Sequence, residues 1–130
     1  MKKGNIIKAE EWFKIGRDEL RAAEIMMKEQ GLYSQVCFYC HQSVEKYMKG
    51  FLTLNGKNLE KIHDLGELNN FCLAINKGFD KFSDDCEILN QFYIPTRYPM
   101  HYEIHKKEVA VKAFKIAKEI IEFIKKETKI

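Results

Sequence analysis

A broad apolar face over Tyr33 to Leu54 constrains this chain more than any other feature. Tyr33, Val36, Cys37, Cys40, Val44, Tyr47, Met48 and Phe51 recur at spacings of one, three and four. At about 100° per residue they cover much of a helix's circumference. A helix apolar around so much of its surface must be covered on several sides, which makes it the central helix of a bundle.

The flanking sequence supplies the covering helices. From about Ala9 to Glu29, Trp12, Phe13, Gly16, Leu20, Ala23 and Met27 keep the helical period, and Gly31 is suited to close that helix. Asn55-Gly56 marks a turn after the central helix. Asp64-Leu65-Gly66-Glu67 fits a capping box, so a third helix is expected over about Leu65 to Asn76, ended by Lys77-Gly78. Ser83 or Asp84 is placed to cap a short fourth helix carrying Ile88, Leu89 and Phe92, which must stop before Pro95. The last helix, about Lys106 to Lys126, aligns Val109, Ala113, Ala117, Ile120 and Ile124, with lysine at many other positions. No segment alternates usefully at period two. The expected fold is all-α, an antiparallel up-and-down bundle of four to five helices forming one domain over residues 1–130.

The central helix also spells Cys37-x-x-Cys40-His41, the signature of covalent haem attachment. On a helix, Cys37, Cys40, Val44 and Met48 share one stripe with His41 near its middle, so the motif lies on the core face. Structural zinc wants a second clustered pair, whereas Cys72 and Cys86 belong to different expected helices. A thioredoxin-like role wants a βαβ context. The thiols are therefore read as small core residues packed beside a hydrogen-bonded histidine, and neither metal nor cofactor is expected.

Composition narrows the setting. The amino terminus, MKKGNIIKAEEWFK, has no apolar stretch of signal-peptide length, and no run approaches the roughly 20 apolar residues of a membrane span. A cytoplasmic protein with no membrane partner is expected, with its cysteines reduced. Net charge is +3, compatible with an anionic partner but below the excess of a dedicated nucleic-acid binder.

YIPTRYPMHYEIH, residues 93–105, holds both prolines, two of the four histidines and three of the six tyrosines. Pro95 and Pro99 stiffen the backbone on either side of Thr96-Arg97-Tyr98, so Arg97 is expected on a loop between helices. A guanidinium so presented suits phosphate; the alternative is a structural arginine stacked on Tyr98 or Tyr102. If the last helix began near Pro99, His101 and His105 would share one of its faces. His63 is read as helping to start the third helix beside Asp64. Glu45 and Lys49, four apart, are read as a solvated or intersubunit ion pair.

CFYCHQSVEKYMKGFL resembles the core helix of the HEPN family, His63-Asp64-Leu65 resembles its short HDL element, and Arg97-Tyr98-Pro99, with Tyr93 before it, resembles its RYP-containing loop. EWFKIGRDELRAAEIM is similar to its opening helix, so the likeness spans nearly the whole chain. The resemblance implies a helical bundle, commonly a homodimer, associated with nucleotide or RNA binding. It also implies a partner, since many prokaryotic members act as toxins beside a minimal nucleotidyltransferase (MNT) antitoxin. Tyr93, Arg97 and Tyr98 would then meet a nucleotide or RNA phosphate, and Tyr98 and Tyr102 are candidates for modification by that partner.

The ribonuclease branch of the family uses an Arg followed after four to six residues by His, working without metal. Arg97 has three residues before His101 and seven before His105, so each histidine misses that window. Three readings follow. The first is a phosphate-binding, toxin-like HEPN module with little or no activity, paired with an MNT-type enzyme. The second is a metal-independent endoribonuclease with Arg97 and His101 or His105 as catalytic groups. The third is a non-catalytic protein-interaction and dimerisation module.

Overall fold

The computed structural model describes residues 2–29, 31–93 and 104–129. Five α-helices form an antiparallel bundle: α1 (Lys3–Met27), α2 (Tyr33–Leu54), α3 (Leu65–Ile75), α4 (Ser83–Asn90) and α5 (Lys107–Thr128), with a 3-10 helix over Lys77–Phe82 between α3 and α4. The central position of α2 is as its pattern required. It packs against α1, α3, α4 and α5, and buries Val36, Cys37, Cys40, Val44, Tyr47, Met48, Phe51, Leu52 and Leu54.

The α1–α2 contact is close because glycines face aromatic rings in a reciprocal arrangement. A Cβ on Gly16 of α1 would lie 2.7 Å from Tyr47 Cδ2, and a Cβ on Gly50 of α2 would run into the Phe13 ring. Phe13 and Tyr47 stack at 5.3 Å between them. Each helix thus offers a ring to the other's bare backbone.

Several boundaries differ from expectation. Helix α1 begins six residues before Ala9, because Ile6 already packs on the core. It ends at Met27, and Gly31 serves the following link at φ +89° instead of capping the helix. Helix α3 stops at Ile75, and the Asn76 side chain accepts from Gly78 N–H at 2.8 Å to start the 3-10 helix. That helix carries Phe79 and Phe82 into the core, so Lys77-Gly78 redirects the chain where a simple stop was expected. Helix α4 runs on from it. Neither Ser83 nor Asp84 therefore caps it, and the Ser83 hydroxyl donates to Asp80 O at 3.3 Å. On α5 the core stripe is Ala110, Ala113, Ile116, Ala117, Ile120, Ile121 and Ile124, whereas Val109 faces outward.

The start of α3 needs two elements. Asp64 Oδ1 accepts from Glu67 N–H at 3.0 Å, as the capping box requires. The second donor, Leu65 N–H, goes to Asn90 Oδ1 at 2.8 Å, and Asn90 Nδ2 donates to Asp64 Oδ1 at 3.2 Å. The end of α4 thereby completes the cap of α3.

Candidate functional site

One stripe of α2 carries His41, Glu45 and Lys49 four residues apart, all buried within the chain. The expected solvated or intersubunit pair is thus a buried one. The α3 approach and the packing of α1 enclose it. Lys49 Nζ donates to Glu45 Oε2 at 2.8 Å and to the Glu60 carbonyl at 2.7 Å, and it sits 5.4 Å from the Trp12 ring centroid. Such pairing is what makes a buried ammonium and carboxylate tolerable.

His63, in the link before α3, reaches the same carboxylate: its Nδ1 lies 3.1 Å from Glu45 Oε2. An ionised carboxylate only accepts, so the proton of this bond belongs to Nδ1 and the lone pair of the neutral ring is left on Nε2. Glu45 is 1% exposed and His63 46%, so a buried acid fixes the tautomer of an imidazole that reaches solvent. Tyr93, the last described residue before 94–103, packs between the two imidazoles. Its ring is stacked on His63 at 5.2 Å with an 11° interplanar angle and lies 5.1 Å from His41.

His41 is a different kind of histidine. Its Nδ1 is 3.0 Å from Gln42 Oε1 and 3.9 Å from Glu45 Oε1, and burial holds its pKa below the ordinary 6.5. His41 Nε2 and Glu45 Oε1 are buried without a hydrogen-bond partner among the described residues.

At the other end of the 94–103 segment, His105 N–H donates to Ser34 Oγ of α2 at 2.9 Å, while its ring meets Phe92 edge-on at 5.1 Å. Both flanks of the segment consequently rest on the first half of α2. The family assignment follows from the match of the HEPN domain model to residues 9–127.

The chain belongs to the HEPN domain family. Two solved structures resemble this HEPN chain over most of their length. TT1696 from Thermus thermophilus is 25% identical, with a TM-score of 0.76 over 92% of this chain and 97% of that one. ST0689, an archaeal HEPN homologue, is 24% identical, with a TM-score of 0.74 over 92% and 96%. No curated protein matches the chain.

Of the residues singled out from the sequence of this HEPN domain, Tyr93 stands in the polar cluster and His105 beside Phe92 and Ser34. Arg97, Tyr98, His101 and Tyr102 lie outside the described residues. The cysteine motif is resolved by packing: Cys37, Cys40, Cys72 and Cys86 are all buried free thiols. Among the described residues, no three His, Cys, Asp or Glu side chains converge in a way that would hold a metal ion. Sequence reading missed the Glu45–His63 contact. The available signal was an acid and a lysine, Glu45 and Lys49, four apart on a helix apolar around much of its circumference, where burial demands partners.

Proposed function

We propose that this HEPN domain binds a nucleotide or RNA phosphate through Arg97, with Tyr93 and Tyr98 beside it, as the toxin-like half of a pair with an MNT-type nucleotidyltransferase. Family membership supports a role at RNA or nucleotides. The observation that carries the reading is the packing of Tyr93 between His41 and His63, which puts two imidazoles and a phenol where the Arg97-bearing segment begins. Guanidinium binds phosphate with two parallel charge-assisted hydrogen bonds, and aromatic rings stack on bases, so this residue set suits a nucleotide unit. In this reading the domain acts as a homodimer, and Tyr98 and Tyr102 are the tyrosines offered to the partner enzyme.

A second reading, metal-independent endoribonuclease, is favoured by one specific observation: the carboxylate–imidazole bond between Glu45 and His63. Arg97 with His101 or His105 remains the catalytic set suggested by the sequence.

The experiment incubates the purified protein with end-labelled single-stranded RNA in EDTA, beside Arg97→Ala and His101→Ala. Retardation of the RNA, weakened about tenfold or more by Arg97→Ala and little by His101→Ala, is the expected result. Retardation indifferent to Arg97 would remove Arg97 from the site. Cleavage lost in both variants would establish the ribonuclease with His101 as its imidazole.

A further inference from the structure

Resting on the reading that RNA phosphate binds beside Tyr93, we propose that His63 is the proton acceptor of a metal-independent RNA cleavage and that Glu45 is its positioning residue. The arrangement has what such a base needs. Its Nδ1 is held at 3.1 Å by a carboxylate that is 1% exposed, so the ring cannot turn without leaving that charge. Stacking on Tyr93 fixes the ring plane. With the Nδ1 proton directed at Glu45, Nε2 holds the lone pair on the opposite edge of a ring that is 46% exposed.

Structural explanations for the contact are already satisfied by other groups. Lys49 supplies the cation that Glu45 requires, at 2.8 Å. Asp64 and Asn90 complete the cap of α3 without His63. Among the imidazoles against Tyr93, His41 is fully buried, so His63 alone presents a ring edge to solvent. The carboxylate–imidazole pair has the same division of labour as the acid and histidine of a catalytic triad, in which the acid sets tautomer and orientation.

In the step assigned to it, Nε2 takes the proton of a ribose 2′-OH as the 2′-oxygen attacks the adjacent phosphorus. The O2′–P bond forms and the P–O5′ bond breaks, giving a 2′,3′-cyclic phosphate. The departing 5′-oxygen takes a proton from water, and the imidazolium later returns its own to solvent. No redox partner is needed.

The test measures single-turnover cleavage and gel retardation of single-stranded RNA in EDTA for the wild type, His63→Ala and Glu45→Gln. His63→Ala is expected to cleave at least about 100-fold more slowly with retardation unchanged, and free imidazole should restore part of the rate. Glu45→Gln keeps an oxygen toward both Lys49 Nζ and His63 Nδ1 but removes the negative charge that faces the imidazolium as it forms, and is expected to lower the single-turnover rate about 10-fold or more with retardation kept. Cleavage by His63→Ala at the wild-type rate, or a loss that imidazole does not restore, overturns the proposal. A wild type that retards RNA without cutting it also overturns the role of His63 and leaves the binding reading standing. A wild type that does neither removes both.

Discussion

Lys49 has three N–H donors and a use for each: the Glu45 carboxylate, the Glu60 carbonyl and the face of Trp12. His41, two turns earlier on the same stripe, is treated in the opposite way, since burial favours its neutral form. Its pKa is lower folded than unfolded, so between those values the unfolded chain binds the extra proton and stability falls as pH falls. Urea titrations are therefore expected to show full stability above 6.5 and a loss beginning below it. His41→Gln should flatten that pH dependence. Asp64, whose carboxyl is held down by the Glu67 N–H, contributes only at lower pH, near and below its usual 3.8. Residues such as Glu45 were half legible. Four-residue spacing with Lys49 announced the pair, but burial and the 18-residue reach to His63 depend on how the link before α3 folds back.

The reciprocal glycines make the α1–α2 contact an all-or-none fit at the scale of the element. Ala is a better helix former than Gly by about 1 kcal/mol, so substitution would stabilise an open helix face. Here the new methyl meets a ring, and Gly16→Ala would also bring it to 3.1 Å from Ser43 O. Gly16→Ala and Gly50→Ala are each expected to lose about 1–3 kcal/mol in urea unfolding. Their losses should not add, because both act through the Phe13–Tyr47 stack. This fit could not be read from the sequence, in which Gly16 and Gly50 stand among apolar residues of ordinary period. The bounds of α2 were legible because its pattern is strong and the Asn55-Gly56 turn ends it. The 3-10 helix was not, because Gly78 reads as a terminator unless Asn76 is seen capping the next turn and Phe79 and Phe82 are seen entering the core.

Across the whole molecule, the four cysteines sample α2, α3 and α4, and none is exposed. Burial pushes the Cys37 thiol up to about 11 and Cys86 to about 12, with Cys40 and Cys72 raised further by the same cause. A thiol that is both shielded and protonated is a poor nucleophile. Iodoacetamide is therefore expected to leave the native protein almost unlabelled, and urea should raise the rates of all four together as unfolding sets in. Early labelling of Cys37 and Cys40 alone would mean that α2 opens before the rest.

Trp12 is the chain's single tryptophan, and it lies against the ammonium that holds Glu45. The indole thus serves as a built-in optical gauge of the charge cluster. Its emission should respond when Lys49 loses its partner, so occupancy at His63 could be followed by fluorescence in unlabelled protein.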